Sequence, residues 1–450
     1  MAATYAVAGQ YEYTTGTGQG AELIKTFYLD RIRDVFYKKT PLLDRLKKVA
    51  PKKMVGNAAV IAIRAGFDPG FGGVSEGLAT PAPYSTARDQ ATVETKEMWH
   101  SIAMSTKQLK VARGDKTSFV NALTDKVRGA TESFQNNMDR MSWGDGSGHL
   151  CALLTGGTAG ASETTTEVTV SAAADLRHLY ENMQVDVIDA SSTTYFNNTT
   201  GTTTTATYHL KVSAIDTSGP GFTLSIPAGG ANYMREDLAV GDNVLSAGPL
   251  ATRVYDASGT GNSYYEMMGL KGIISASDPT TGDFQGLDRS TYTWWKAAHE
   301  TSSSSTNRDL TEKLMIAAYN GSLKNGGEPS AIYCDLDVQR EYSALLTPSV
   351  RNINTLDLTG GWSALAFQCG GKPIPVFGSK GCVPNAMYFV DEKHLFFVEC
   401  GDVEWISGGG AGGVMTWDIG YAQKIGALQW VGNLACDHPG SCCLLDYIKT

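Results

Sequence analysis

Four short stretches carry residue types that do chemistry elsewhere. Met138 to Leu154, "MDRMSWGDGSGHLCALL", ends with glycines at alternate positions, Gly144, Gly146 and Gly148. A dinucleotide fingerprint needs G-x-G-x-x-G after a strand and opening a helix, so that backbone amides face the anion. Here His149 stands at the third glycine position, the glycines follow a helical pattern, and no Gly-Lys-Ser/Thr of a P-loop comes after. The stretch reads as a helix stop. Cys436, His438, Cys442 and Cys443 offer thiolate and imidazole ligands of the kind zinc takes. The C-x-x-C spacing is missing, however, and packing as small hydrophobes competes. Asp402 and Glu404 would share one strand face roughly 6 to 7 Å apart. That is near a glycosidase carboxylate separation, but two acids on one strand cannot flank a bond from both sides. Trp294 and Trp295 could stack on a sugar or base, or pack in a core or interface. Arg113-Gly114-Asp115 matches an adhesion tripeptide and reads as the lead-in to a helix. No G-x-S-x-G elbow or H-E-x-x-H motif is present. The reading therefore assigns no catalytic, cofactor-binding or metal-ligating residue, expects no cofactor, and expects no enzyme.

The elements that would carry these stretches follow from periodicity. Ala21 to Ala50 is an amphipathic arm, with Leu23, Phe27, Ile32, Val35 and Phe36 roughly on one face until Pro41 interrupts. Two strand-like stretches, "VGNAAVIAIRAG" and "QATVETKEMWHSIAMS", flank Gly66 to Asp89, where five glycines and three prolines occupy 24 residues. Such an excursion is usually functional, and an isolated hairpin is marginal, so it should rest on something else. In "TSFVNALTDKVRGATESFQNNMDRMSW", Phe119, Leu123, Val127, Ala130, Phe134, Met138 and Met141 recur at helical spacing, which predicts a long one-sided helix. From about 160 to 260 the composition turns to Thr, Ser and Gly. "YHLKVSAID" places Leu210, Val212 and Ala214 on one face, and "FTLSI" does so with Phe222, Leu224 and Ile226, which predicts a small β-rich unit. Helices over "DLTEKLMIAAYNGSLKNGG" and "DLDVQREYSALL" then alternate with strands over "SAIYC", "KPIPVFG", "NAMYFVD" and "HLFFVE". The tail reads as two strands joined by a His-Pro-Gly turn.

Composition bounds the class. The 450 residues, 42% hydrophobic and 18% charged, suffice for two or three compact units. Fifty glycines, well above the roughly 7% average, call for many turns. The first residues lack a secretory signal and no apolar run approaches a membrane span, so a soluble, cytosolically made protein is expected. The eight cysteines then read as free thiols, with oxidation in an exported particle left open. The formal charge of −9 is uneven: residues 1 to 53 hold ten Lys/Arg against five Asp/Glu. A basic arm on an acidic body suits nucleic acid or an acidic partner, or simply a solvated helix.

The order of elements, a basic arm, a long Gly/Pro-rich hairpin, one long helix ending in "GDGSG", a mixed α/β region and a strand-rich return, resembles the major capsid proteins of tailed bacteriophages, the Hong Kong 97 fold. "SEGLATPAPYSTARDQATVETKEMWHSIAMSTKQL" resembles that family's extended loop, "WGDGSGHLCALL" its helix end, and "GLKGII", "YCDLDVQREYSAL" and "GKPIPVFGSKGCVPNAMYFVDEKHLFFVE" its later domain. The resemblance implies an α+β Hong Kong 97-like chain with an added β-rich insertion. Its parts are an N-terminal arm (1–54), an extended-loop hairpin (55–108), the spine helix of a peripheral domain (109–158), the insertion (159–262), an axial α/β domain (263–400) and C-terminal strands returning to the peripheral domain (401–450). It further implies hexamers and pentamers closing an icosahedral shell around double-stranded DNA, in a virion assembled in the bacterial cytoplasm. Portal, scaffold and decoration proteins are candidate partners, and no membrane is. The glycines after the spine helix would be a hinge. Subunit contacts are expected at Phe67, Phe71 and Tyr84 in the loop and at Phe27, Phe36, Lys38, Lys39, Lys47 and Lys48 in the arm. Nothing marks the lysine–asparagine crosslink of some relatives. An encapsulin-like compartment shares the fold, and a carbohydrate-binding or carbohydrate-active protein is the reading different in kind.

Overall fold

The computed structural model describes residues 41–46, 52–53, 58–66, 70–77, 79–82, 85–105, 116–155, 165–170, 173–188, 209–216, 219–225, 243–246, 265–275, 283–304, 306–346, 355–357, 363–406, 416–417, 420 and 423–450. Three β-systems and one long helix organise them.

The first system is a six-stranded sheet around the 14-residue strand β20 (Gln423–Cys436). Strand β4 (Lys96–Ser105) runs antiparallel to β20 from Gln423 to Gly432. On the other side β17 (Leu395–Glu399), β18 (Glu404–Ile406) and β19 (Thr416–Trp417) pair with successive parts of the same strand. The short β1 (Lys52–Lys53) adds in parallel to β17. Just before it, α1 (Pro41–Leu46) buries Leu42, Leu43 and Leu46 completely. Pro41 is the first described residue of this helix, a position that needs no amide hydrogen and suits the proline φ; the arm it was expected to interrupt, 21–40, lies outside the described residues.

The long helix α2 (Lys116–Trp143) lies against β4. Val127, Ala130, Phe134 and Met138 are buried along one face and Met141 packs at its edge, as the spacing predicts; the side chains of Phe119 and Leu123 lie outside the described residues.

The second system is a closed antiparallel barrel of six strands: β5 (His149–Thr155), β6 (Thr165–Val170), β7 (Gln184–Ile188), β8 (Leu210–Ile215), β9 (Gly221–Ser225) and β10 (Asn243–Ser246). A strand alternates its faces every residue, and the inward set, among them Leu153, Val168, Val185, Leu210, Val212, Phe222, Leu224 and Val244, is fully buried. Closure removes the open edges that a thin sheet exposes. Ala214 was expected on the inner face with Leu210 and Val212. A register shift between Val212 and Ala214 inserts one residue and turns Ala214 outward. Ile226 and the threonine-rich stretch 191–207 lie outside the described residues.

The third system is a seven-stranded mixed sheet in the order β11 (Ala298–Glu300), β21 (Cys443–Leu445), β16 (Met387–Val390), β12 (Ala331–Cys334), β15 (Lys372–Gly378), β14 (Ser363–Cys369), β13 (Thr355–Asp357). Helices α4 (Glu312–Lys324) and α5 (Leu336–Leu346) pack on it, and the short α3 (Leu270–Ile273) sits against the end of α2. Thr311 caps α4 by accepting from the Leu314 amide.

Two sequence readings shift. The stretch from Gln90 to Ser105 breaks at Thr95: β3 (Arg88–Glu94) pairs with β2 (Ala58–Arg64), whereas β4 joins the six-stranded sheet. The two tail strands form no hairpin either, because β20 and β21 belong to different sheets.

Candidate assembly surface

The β2–β3 ribbon packs on the body of the chain through Ala91, Ile61 and Ile63 as well as at its base. Val93 packs with Phe396, Val398 and Ala435 of the six-stranded sheet, and the Thr92 amide donates to Gln285 O at 2.7 Å. The support the ribbon needs therefore comes from the same chain. Beyond the Ala65 amide, which donates to Ala87 O at 3.0 Å, the chain runs out as a loop whose described residues 71–77 and 79–82 are all exposed. Phe71 is 97% exposed, which leaves a whole aromatic face in water. Val60 on β2 and Trp99 on β4 add exposed apolar area near the ribbon base in sequence. Phe67 and Tyr84 lie outside the described residues, as do Phe27, Phe36, Lys38, Lys39, Lys47 and Lys48 of the arm and Arg113–Asp115.

The glycine stretch after α2 is a braced turn. Gly146 and Gly148 have φ of 85° and 76°, the left-handed region that glycine occupies without strain. Between them Ser147 donates its amide (3.1 Å) and hydroxyl (2.5 Å) to Asp145 Oδ1. Lys271 donates to Asp145 Oδ2 at 3.0 Å. Burial pushes the Asp145 carboxyl up, but Lys271 and the Ser147 bonds outweigh it and hold it at about 2. The chain coming back from the barrel docks on the same turn. The Glu266 amide donates to Gly146 O, the Gly272 amide to Gly144 O, and Arg140 Nη2 donates to Glu266 Oε1 at 2.7 Å in a buried pair. The barrel thus leaves and re-enters the chain at one point. The Gly144, Ser147 and His149 amides of the turn are engaged within the chain, to Met141 O, Asp145 Oδ1 and Ser147 Oγ.

The remaining chemical candidates are used structurally. Cys436, Cys442 and Cys443 are buried, and desolvation pushes the Cys442 thiol up to about 11 and the Cys443 thiol up to about 12. Thiols held protonated are poor metal ligands. His438 uses Nε2 to donate to Asn325 O at 3.0 Å. Among the described residues no group of three or more His, Cys, Asp or Glu is placed to hold a metal ion. Trp295 is fully buried and donates Nε1 to Phe284 O at 3.0 Å, with Trp294 packed edge-on against it at 5.6 Å. Trp295 offers no free face for a sugar, and Trp294 is partly buried with its ring packed edge-on against Tyr292 and Trp295. Asp402 and Glu404 are both exposed on the β18 edge. A cleft of about 630 Å³ between β4, α2 and the barrel is lined by Trp99, His100, Arg140, Tyr180, Tyr265 and Glu266, among others. Its one buried acid is already neutralised by Arg140.

Sequence reasoning had no access to one constellation. Arg45 donates Nε and Nη2 to the two carboxylate oxygens of Glu392 at 2.5 and 2.6 Å, and Glu392 also accepts from Tyr333 (2.7 Å) and Ser330 (3.0 Å). The partners are up to 347 residues apart, and no local pattern announces such a pair.

A six-stranded sheet with a long helix across it, an exposed two-stranded ribbon and a mixed sheet with helices packed on it match the fold of a solved phage capsid chain. The capsid chain of Cyanophage A-1(L) superimposes with a TM-score of 0.52 at 11% identity, covering 92% of this chain and 93% of that one. A chain of the Mycobacterium phage Patience structure matches over 99% of this chain and 95% of its own at 9% identity, with a TM-score of 0.40. An encapsulin from Synechococcus elongatus matches 34% of this chain and 53% of its own, at a TM-score of 0.25 and 12% identity. No family model and no curated protein matches the sequence. Among the described residues no helix is long and apolar enough to cross a membrane.

Proposed function

We propose that this protein is the shell-forming subunit of a tailed bacteriophage, a major capsid protein of the Hong Kong 97 arrangement. The observation that carries the reading is the likeness to the Cyanophage A-1(L) capsid chain along nearly the full length of both. On this reading the six-stranded sheet and α2 are the peripheral domain, and the seven-stranded sheet with α4 and α5 is the axial domain. The barrel is an insertion, which its single point of exit and return supports. The ribbon reaches an adjacent subunit, where burial of Phe71 would supply about 2 kcal/mol per contact, repeated around each ring. The basic arm lies toward DNA or a scaffold. Copies form hexamers and pentamers and close a shell around double-stranded DNA.

The reading is tested by negative-stain electron microscopy of purified protein, with light scattering on the same sample. Angular shells, or rings of five and six, are the expected result, and packaged DNA with a portal vertex distinguishes a virion from a cargo-holding compartment. A chain that stays a 48 kDa monomer even with its scaffold present would overturn it.

A further inference from the structure

The C-terminal half of the chain passes between the two large sheets twice. It leaves the seven-stranded sheet at the end of β16, makes a 3-10 turn over Glu392–His394, and enters the six-stranded sheet as β17. It returns at the end of β20 through Asp437, His438 and the 3-10 turn Pro439–Ser441, and enters the seven-stranded sheet as β21. Any change in the angle between the sheets must bend both crossings, and one cluster of side chains ties them together.

His394, on the outward crossing, has Nδ1 at 2.7 Å from Asp437 Oδ1 on the return crossing. The Asp437 amide donates to His394 O at 3.2 Å, so the pair is joined through backbone as well. The His394 ring meets that of His438 edge-on at 5.4 Å, and His438 is tied to the end of α4 through Asn325 O. On the other side of the ring, His394 Nε2 lies 3.9 Å from Asp391 Oδ2, a nearly fully buried carboxylate that also accepts from the Glu328 amide at 3.1 Å. The groups facing His394 are thus Asp437 and His438 from the return crossing and Asp391 and Lys393 from its own turn, with the Asn325 carbonyl, just past α4, held by His438. Lys393 is in turn drawn toward Glu328, at 3.8 Å. The neighbouring Glu392 is neutralised by Arg45. Two carboxylates therefore bracket one imidazole, at the place where both strands of the connection cross.

We propose that His394 and Asp437 form a proton-dependent clasp that fixes the angle between the two sheets, tight when His394 is charged and slack when it is neutral. A neutral imidazole keeps one hydrogen bond to Asp437; the imidazolium adds attraction to both Asp437 and Asp391. The His394 pKa is raised by the Asp437 hydrogen bond, against partial burial, and further by the charges of Asp437 and Asp391. A histidine whose folded pKa is raised contributes its stabilisation in full below the unfolded value of about 6.5, and loses it as pH climbs through the folded value. Acid thus locks the crossings, and mildly alkaline solution frees them. In a shell subunit this would couple the sheet-to-sheet angle to pH; the clasp itself is a property of the fold and does not depend on the capsid reading.

The test uses the full chain. Histidine C2-proton exchange followed by mass spectrometry gives the titration midpoint of His394 directly. It should lie above about 6.5 in the native protein and fall in Asp437→Asn. Amide exchange over residues 395–399 and 432–437, corrected for the intrinsic pH dependence, should be several-fold slower at pH 5.5 than at pH 8.5, and this ratio should collapse toward one in His394→Gln. Asp437→Asn supports the same comparison if the histidine variant does not fold. A His394 midpoint at or below the ordinary value, or the same pH ratio in the native protein and the variants, would overturn the clasp.

Discussion

Arg45 ties α1 to the 3-10 turn at Glu392, beside the three buried leucines that pack α1 into the core. Its guanidinium matches the Glu392 carboxylate with two bonds, and Tyr333 and Ser330 occupy the remaining acceptor positions, so its loss leaves a mostly buried carboxylate without its cation. Removing one partner of a buried pair costs several kcal/mol; with Arg45 still a quarter exposed, Arg45→Ala should cost about 2 kcal/mol, read from urea unfolding. Asp139 works in the opposite direction. Burial raises its carboxyl to about 6, only partly offset by the Trp143 Nε1 bond at 3.3 Å. An acid whose folded pKa lies above its unfolded value costs stability as pH rises from about 4, and the full cost is reached above about 6. Asp139→Asn retains an acceptor for Trp143 and should stabilise the protein at pH 8 by on the order of 1 kcal/mol. The gain should vanish at pH 4 in thermal melts; an equal gain at both pH values would remove ionisation as the cause.

At the scale of elements, the junction of α2, the barrel and α3 depends on backbones too close for side chains. A Cβ on Gly269 would run into the Met141 carbonyl and the Gly144 backbone, and one on Gly272 into Met268. Gly269→Ala should therefore force the returning chain off the end of α2, loosening the Arg140–Glu266 and Lys271–Asp145 pairs together. A loss of about 2 kcal/mol, with faster amide exchange in 144–150 and 265–274, is expected. Gly129→Ala, whose Cβ would meet nothing, is the control and should be neutral or slightly stabilising. The barrel is a separate test of packing: Leu224→Ala removes a fully buried side chain from its centre and should cost about 3 kcal/mol. That loss should appear in amide exchange of residues 165–170 and 210–215, since the barrel has its own core.

For the whole molecule, the exposed loop separates folding from assembly. Phe71 is 97% exposed, so Phe71→Ser should leave the melting temperature of the isolated chain unchanged and reduce the yield of closed shells in electron micrographs. Deleting residues 68 to 84 should abolish closure; normal particles from that deletion would end the loop's proposed role. Charge reversal at Lys38, Lys39, Lys47 and Lys48 should change assembly or packaging, measured as particle yield and DNA content, if the arm contacts DNA or scaffold.

Periodicity and composition were enough to locate α2, two of the six barrel strands (β8 and β9) and the helices of the mixed sheet, because burying one face imposes a repeat that local sequence must carry. They also exposed the Gly/Pro-rich loop, since a chain that cannot pack on itself advertises it. Which sheet each strand joins was decided only in three dimensions. The break at Thr95 and the parting of β20 from β21 depend on pairing with strands remote in sequence, and the outward turn of Ala214 on a register shift against β9. The Arg45–Glu392 pair, the braced glycine turn and the His394–Asp437 clasp belong to the same class. Each joins groups between 43 and 347 residues apart, and a contact of that reach leaves no periodic trace: its free energy depends on where two side chains meet, while a sequence repeat records only which way each one faces.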